Sequence, residues 1–192
     1  MNIENELKIA KIAALKAGSL LLNEKNILIK TVFTSRRDIK LEADICSENL
    51  IKEIISSKSL YPILAEESGK SQENLDDIYW VVDPLDGTAN YARGLPLCCV
   101  SIALMSKTDP LLGVVYDFNR KDLYEGHTNG DAKLNNNLIK VSDINDSSNG
   151  ILVTGLPNKT DYSDKALLRM VKDFQQWKKV RMIGSAAIAS CY

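Results

Sequence analysis

Two aspartates three residues apart are the side chains of this sequence best placed to do chemistry. Asp83 and Asp86 follow an apolar run, 78–82, and a pair of glutamates, Glu66 and Glu67, lies a short distance upstream. Four carboxylates that converge on one turn repel each other unless a cation lies between them, and hard divalent cations such as Mg²⁺ prefer oxygen ligands. The sequence therefore predicts a metal site that serves phosphate chemistry.

The residues around the two aspartates suit the same chemistry. Pro84 stiffens the turn, and the Leu85 carbonyl can add a third oxygen to the two carboxylates. Gly87 lets the backbone approach a phosphate closely, and free N–H groups at the start of a helix would bind phosphate oxygens. The Thr88 hydroxyl could orient a water molecule. This turn thus carries groups for both a cation and a phosphate.

The segments on either side of the turn predict a mixture of helices and strands. Apolar residues at helical spacing indicate an amphipathic helix over 4–23, and a second helix is expected over 43–57. Asp44 falls in the first turn of that second helix, where a carboxylate suits the positive end of the helix dipole. Strands are expected over 62–65, 78–82, 100–105, 111–116, 123–126, 151–154 and 180–183, and further helices over 163–177 and from 184 to 192.

Polar segments separate these elements. Residues 35–38 and 69–77 are expected to form loops, and 143–150 has the composition of a polar hinge. Because the connections between the three strands after the Asp83 turn are short, an antiparallel meander is predicted. The whole pattern favours an α+β or layered α/β fold, in which an N-terminal part, 1–145, precedes the start of a second α/β part, 146–192.

Composition narrows the classes of partner. The chain has 45% hydrophobic and 26% charged residues, as expected of a globular protein that buries a core. A formal net charge of -1 and the lack of long basic runs argue against a nucleic-acid polymer as partner. The longest apolar runs are too short to span a bilayer, and acidic residues precede the first apolar positions, unlike a secretory signal. We therefore expect a cytoplasmic protein with no membrane partner.

The cysteines and the histidine argue against other kinds of site. The 4 cysteines form no Cys-x-x-Cys pair, and the vicinal Cys98 and Cys99 lie in an apolar run, so buried, reduced thiols are expected. His127 is the only histidine, which argues against histidine-based triads and histidine-rich metal sites. It is expected at the surface, at the end of a strand.

The same turn belongs to a longer series of motifs. The series comprises Asp44, then Glu66-Glu67-Ser68, then Asp83-Pro84-Leu85-Asp86-Gly87-Thr88-Ala89-Asn90-Tyr91, and finally Arg181-Met182-Ile183-Gly184-Ser185-Ala186-Ala187. In content and order it resembles the inositol monophosphatase family across nearly the whole chain. A lone Asp-x-x-Asp pair would be weak evidence, whereas the joint pattern is specific. The resemblance implies the layered sugar-phosphatase type of fold and a Mg²⁺-dependent, lithium-sensitive phosphomonoesterase.

The resemblance implies a metal role for four residues. Glu66, Asp83 and the Leu85 carbonyl would hold the first Mg²⁺. Asp83 and Asp86 would share a second ion, and the family uses two or three in all. The implied mechanism is a direct in-line attack by a metal-activated water, with the second metal stabilising the leaving alkoxide.

Catalytic and substrate roles follow from the same resemblance. Thr88, oriented with Asp44, would activate the attacking water, and Glu67 would assist the catalytic group through supporting polar contacts. The backbone amides at 87 and 88 would hold the phosphate. The residues expected to contact the substrate are Asp86, Gly87, Thr88, Gly184, Ser185 and Ala186.

The family also carries a downstream Trp-Asp…Ala-Gly segment whose aspartate completes the second metal site. Residue 192 falls in the helix that precedes this segment, so the last strand and helix are expected to be missing. Removing a residue that only hydrogen-bonds to a metal ligand already lowers metal affinity or activity roughly 10–100-fold. Loss of a metal ligand itself should lower them at least as much. If the 192 residues are the whole product, we expect it to be impaired or inactive.

Three functions remain open at this stage. The first is hydrolysis of inositol monophosphate or a related polyol or sugar phosphate, and the second is the 3′(2′),5′-bisphosphate nucleotidase branch of the family. Ala89-Asn90-Tyr91 fits the first better, because the nucleotidase branch typically has Lys-Glu-Phe there; a histidinol phosphatase pattern also fits less well. The third is a non-catalytic, truncated member. A small phosphate ester and a second copy of the chain, in a homodimer, are the partners that the family implies.

Overall fold

Among the described residues, an eight-stranded sheet forms the centre of the fold. The computed structural model describes residues 1–35, 39–73, 75, 77–156 and 160–192. The helices are α1 (Ile3–Asn23), α2 (Lys25–Leu28), α3 (Glu42–Ser56), α4 (Thr88–Arg93), α5 (Asp164–Phe174) and α6 (Ala186–Cys191). The strands are β1 (Thr31–Thr34), β2 (Ile39–Leu41), β3 (Ile63–Ala65), β4 (Gly69–Lys70), β5 (Ile78–Asp86), β6 (Cys99–Ser106), β7 (Asp109–Asp117), β8 (Asp122–His127), β9 (Lys133–Leu134), β10 (Asn137–Leu138), β11 (Ile151–Thr154) and β12 (Lys179–Met182).

The central sheet has the strand order β10-β9-β8-β7-β6-β5-β3-β4. Strands β6, β7 and β8 follow β5 in antiparallel succession, which confirms the predicted meander. Strand β3 runs parallel to β5, with Leu64 opposite Val81. The parallel pair places the chain that follows β3 beside the end of β5, where the acidic motifs lie.

Helix α1 buries one face against α3 and the sheet. Its buried residues recur at helical spacing and include Leu7, Ala10, Ala13, Ala14, Ala17, Gly18 and Leu21. The contact with the sheet is close, because a Cβ at Gly18 would lie 2.5 Å from Tyr116 Cε1. The helix begins where the Asn2 side chain accepts a hydrogen bond from the Asn5 N–H (3.2 Å). The predicted opening helix is confirmed.

Helix α3 has a buried face that is apolar at one end and polar at the other. Its later turns bury Ile51, Ile54 and Ile55 in the core. Its first turns bury Asp44, Ser47 and Glu48, and all three hydrogen-bond to the chain around the end of β5 and the end of β3. The helix thus supports the core and the acidic motifs at the same time.

A smaller parallel sheet lies in the C-terminal part of the chain. Strands β11 and β12 pair in parallel, with Ile151 opposite Lys179, and α5 lies between them in sequence, as a parallel crossover requires. Helix α6 then returns to contact β6 and β7 of the central sheet. The domain boundary near residue 145 stays a prediction.

Some short elements differ from the sequence-based expectation. The expected loop over 69–77 is wrong at its start, because Gly69–Lys70 pairs with Leu64–Ala65 as strand β4. The hairpin of β1 and β2 and the one-and-a-half-turn helix α4 were not predicted. Within the expected loop over 35–38, residues 36–38 lie outside the described part of the chain.

The four cysteines are free thiols with different exposures. Cys98 and Cys99 are buried as expected and Cys191 is half-buried, whereas Cys46 is exposed. The expectation of a buried thiol is wrong at Cys46 because this residue lies on the face of α3 that points away from the core. His127 ends strand β8 as predicted and is half-buried. No helix in the described ranges has the length and apolar character needed to cross a membrane.

Two tyrosine hydrogen bonds that differ in burial allow a test of how much a buried hydrogen bond stabilises this fold. The buried Tyr91 hydroxyl donates to the Leu21 carbonyl (2.7 Å), whereas the more exposed Tyr79 hydroxyl donates to the Lys107 carbonyl (2.7 Å). Tyr91→Phe should lower the free energy of unfolding by about 1–3 kcal/mol, because the carbonyl at the end of α1 loses its partner without gaining water. Tyr79→Phe should stay within about 0.5 kcal/mol. Urea denaturation of both variants measures this, and equal losses would contradict the account.

Candidate active site

The end of β5 turns sharply, and the turn separates the two aspartates. Asp83 lies opposite Ser101 and Asp86 lies opposite Cys99, with an irregular register between them. The next residue, Gly87, has φ 92°, and a Cβ there would lie 2.7 Å from the Leu97 carbonyl oxygen. Only glycine fits this position, and it lets α4 begin immediately after the strand.

Asp44 and Thr88 meet across the turn, although 44 residues separate them in sequence. The Thr88 hydroxyl donates to Asp44 Oδ1 (2.8 Å) and lies 3.0 Å from the Leu85 carbonyl oxygen. Asp44 Oδ2 accepts a hydrogen bond from the Leu41 N–H (2.7 Å). Burial raises the pKa of Asp44 to about 6, against the lowering effect of these hydrogen bonds. The structure therefore brings together the pair expected to orient the water.

Asp83 lies among other carboxylates. Burial, followed by the negative charges of Glu66 and Asp86, raises the pKa of Asp83 far above its ordinary value of 3.8. The Glu66 side chain shares a hydrogen bond with it, which raises the pKa further, while the Leu85 N–H donates to Asp83 Oδ1 (3.1 Å). Two of the expected metal ligands are thus in contact, and the third carboxylate acts on Asp83 electrostatically.

Asp86 is bound to the start of helix α6. Its Oδ2 accepts hydrogen bonds from the Ser185 hydroxyl (2.6 Å) and the Ala187 N–H (2.7 Å). Ser185 is buried, whereas its neighbours Gly184 and Ala186 are exposed. Of the segment expected to contact the substrate, only the two flanking residues are therefore open to solvent, and the Ser185 hydroxyl is occupied by Asp86.

Asn90 links the turn to that same segment and was missed as a site residue. Its Nδ2 donates to the Leu97 carbonyl and to the Ile183 carbonyl, both at 2.7 Å. The segment then turns at Gly184, which has φ 73°. The sequence signal was present, since Asn90 belongs to the motif after Gly87-Thr88, but its partners are too distant in sequence to be read from it.

Glu67 lies in a network of charges beside the site. Its carboxylate pairs with Lys40, and its charge helps to raise the pKa of Asp44. Its backbone N–H donates to Glu48 Oε2 (2.8 Å). These are supporting polar contacts of the kind expected for Glu67, and neither Lys40 nor Glu48 was singled out from the sequence.

The donor set suits a hard divalent cation. Within the described ranges, no three His, Cys, Asp or Glu side chains form a ready-made metal cluster. The first ion expected here needs only two carboxylates, Glu66 and Asp83, and the Leu85 carbonyl. These are oxygen ligands, and burial together with the negative charges of Glu66 and Asp86 raises the pKa of Asp83, which disfavours its ionised form. A cation would favour the ionised form, so the residues fit Mg²⁺.

A cavity on another part of the described chain was not singled out from the sequence. A groove of about 450 Å³ runs between α1 and the region of β8 and β9. Across its lining, Lys11 pairs with Glu125, and His127 Nε2 lies 3.2 Å from Glu4 Oε1. The groove does not include the carboxylates at the end of β5.

Comparison with known proteins shows the family of the chain. Residues 2–192 match the family model described as "Inositol monophosphatase family". The chain belongs to the inositol monophosphatase family.

Several members of this family resemble the chain along most of its length. The chain is 37% identical over 192 residues to Nus factor SuhB of Pasteurella multocida, covering 97% of this chain and 71% of the relative. It is 32% identical over 200 residues to the fructose-1,6-bisphosphatase/inositol-1-monophosphatase of Aquifex aeolicus, covering 99% and 73%.

Solved structures give the same fold. The inositol monophosphatase from Anabaena (Nostoc) sp. PCC 7120 has a TM-score of 0.83 and 34% identity, covering 100% of this chain and 71% of that one. An IMPase/NADP phosphatase solved with Mg²⁺ and phosphate has a TM-score of 0.76 at 20% identity, covering 92% and 66%. The predicted layered α/β fold is confirmed, and members of the inositol monophosphatase family are phosphatases.

The crowded carboxylates make the metal-free protein sensitive to pH. Asp83 ionises near 3.8 in the unfolded chain but at a higher pH in the folded one, so stability is fully present below pH 3.8 and is lost as the pH rises towards the raised pKa. In EDTA, the free energy of unfolding of the wild type should fall more steeply with rising pH than that of Asp83→Asn. The two slopes should differ by up to about 1.4 kcal/mol per pH unit. Urea denaturation from about pH 5 to 8 measures the two slopes, with Asp44 acting equally in both proteins. If the stability of the two proteins had the same pH dependence, the raised pKa of Asp83 would be contradicted.

Proposed function

We propose that this chain hydrolyses a small phosphate monoester in an Mg²⁺-dependent reaction, with inositol monophosphate or a related polyol or sugar phosphate as substrate. One observation carries the proposal. The Glu66–Asp83 carboxylate pair and the hydrogen-bonded pair of Thr88 and Asp44 flank a single glycine turn. This arrangement offers cation ligands, a group that can orient water and a place for phosphate within one site.

We propose that Glu66, Asp83 and the Leu85 carbonyl hold one Mg²⁺, and that Asp83 and Asp86 contribute to a second. When bound, the metal ions would supply activation of water and stabilisation of charge on the leaving oxygen. An IMPase/NADP phosphatase with the same fold was solved with Mg²⁺ and phosphate, which supports this choice of ion. The number of ions and lithium sensitivity are further expectations from the family.

Thr88 and Asp44 would orient the attacking water. A hydroxyl has one proton to donate, and Asp44 Oδ1 (2.8 Å) is closer to the Thr88 hydroxyl than the Leu85 carbonyl oxygen (3.0 Å). We propose that the proton points to Asp44, so that the Thr88 oxygen accepts a hydrogen bond from a water. The pKa of about 6 means that Asp44 is mostly ionised at neutral pH and can hold the hydroxyl in this direction. Glu67 is proposed to assist through its charge.

The turn at Gly87 would hold the phosphate. The first N–H groups of a helix have no partner within the helix, and α4 begins at Thr88, directly after a glycine whose conformation brings the backbone into the site. Gly184 and Ala186 are proposed to contact the hydroxyl-bearing part of the substrate, beside Asp86. The buried Ser185 hydroxyl, which donates to Asp86, would align this segment.

A binding role is the second candidate function. It is favoured by a specific observation, because the relative from Pasteurella multocida carries the name Nus factor SuhB. The bisphosphate nucleotidase branch remains the alternative substrate class. A homodimer is proposed from the family alone, and analytical ultracentrifugation would test it. A cytoplasmic location is proposed from the sequence pattern.

A substrate panel tests the proposed function. The 192-residue protein should release phosphate from inositol 1-phosphate faster than from adenosine 3′,5′-bisphosphate, and fructose 1,6-bisphosphate belongs in the same panel. EDTA should abolish turnover and added Mg²⁺ should restore it. Stably folded protein without Mg²⁺-dependent turnover of any ester would favour the binding role, and a preference for the nucleotide would favour the nucleotidase branch.

Thr88 should be needed for turnover through its hydroxyl. Thr88→Val keeps the shape of the side chain but cannot orient a water, and should lower kcat by roughly 10²-fold or more. Thr88→Ser restores the hydroxyl and should retain most of the activity. Steady-state kinetics at saturating Mg²⁺ measure both variants. A Thr88→Val enzyme as active as Thr88→Ser would contradict the role proposed for this residue.

A further inference from the structure

Glu48 is a buried carboxylate that the proposed reaction does not use. It lies on α3, four residues after Asp44 and therefore on the same helix face, and only 2% of it is exposed. Burying a charge is unfavourable unless the charge is hydrogen-bonded. The partners of Glu48 therefore indicate what it does.

Both oxygens of Glu48 bind the backbone directly after Glu66. Oε2 accepts a hydrogen bond from the Glu67 N–H (2.8 Å), and Oε1 accepts one from the Ser68 N–H (3.1 Å). On the other side, the Glu66 N–H donates to the Val82 carbonyl on β5 (3.0 Å). The chain is thus fixed immediately before and immediately after the Cα of Glu66.

Two lysines balance the charge at the outer side of this contact. Lys52 Nζ lies 3.9 Å from Glu48 Oε1 and donates to the Ser68 hydroxyl (2.8 Å). Lys40 pairs with the Glu67 carboxylate. The side chains of Glu67 and Ser68 therefore have partners away from Asp83, whereas the Glu66 side chain is directed to Asp83.

The neighbouring residue on α3 makes a matching contact with β5. The Ser47 hydroxyl donates to the Pro84 carbonyl (2.9 Å), next to Leu85. Consecutive residues of one helix thus bind both chain segments that carry the proposed ligands of the first ion. This helix face fixes the distance between the two segments.

We infer that Glu48 is a positioning residue for the metal site, which holds the Glu66 turn so that Glu66 and Asp83 converge on one cation. The inference rests on the proposed function. Bonds from a carboxylate to N–H groups are charge-assisted and directional, and groups that orient a metal ligand typically change metal affinity or activity by 10–100-fold when they are removed.

Two substitutions separate positioning from charge. Glu48→Gln removes the charge and replaces one of the two acceptor oxygens with an NH₂ group, which cannot accept a hydrogen bond. Glu48→Asp keeps the charge but is one methylene shorter, so it cannot reach both N–H groups. Glu53→Gln, on the exposed side of the same helix, is the matched control. The readouts are the Mg²⁺-dependent rise in Tm and the Mg²⁺ dependence of phosphate release from inositol 1-phosphate.

If Glu48 positions the metal ligands, both readouts should show that Glu48→Gln and Glu48→Asp bind Mg²⁺ roughly 10–100-fold more weakly than the wild type. The kcat of both variants should recover at saturating Mg²⁺. Glu53→Gln should match the wild type. Wild-type affinity in Glu48→Asp would overturn the inference and leave only an effect of charge. Unfolding of both Glu48 variants in EDTA would also overturn it, because Glu48 would then merely support the fold. A wild-type protein with neither a Tm rise nor turnover would refute the proposed function itself.

Discussion

The burial of crowded carboxylates at the end of β5 is the constraint on which this structure depends. Asp83 lies beside Glu66 and Asp86 in a partly buried position, and its pKa is raised because a charge there is both desolvated and surrounded by like charges. Such an arrangement is unfavourable for the fold alone. It is favourable for binding a cation, because the ligands already face each other before the cation arrives.

The rest of the site is built to maintain this arrangement. Helix α3 provides Asp44, Ser47 and Glu48, which bind three separate segments of the chain near the carboxylates. The glycine turn then directs α4 away from the strand, and Asp86 binds the start of α6. The acidic turn is thus connected to both the N-terminal helices and the C-terminal segment. A change in any of these supports should therefore affect the proposed metal site.

Much of the fold and of the site could be predicted from the sequence, for physical reasons. The strands of the meander and the helix α1 have strong periodic patterns, and the turn at 83–88 combines residue types that suit one chemistry. The short strand β4 could not be predicted, because its two residues form a strand only by pairing with β3. Glu48 was missed because Glu48 and Lys52 at i,i+4 have the pattern of an exposed ion pair. Only the tertiary fold shows that its oxygens bind a distant turn.

The family relationship and the geometry support the same conclusion from different directions. The family model matches almost the whole chain, and the structure brings Asp44 to Thr88 and Glu66 to Asp83. Isothermal titration calorimetry of Mg²⁺ into the wild type and Asp83→Asn tests the central claim most directly. The account predicts saturable binding to the wild type and at least about tenfold weaker binding to the variant. Equal binding by the two proteins, or none by the wild type, would contradict it.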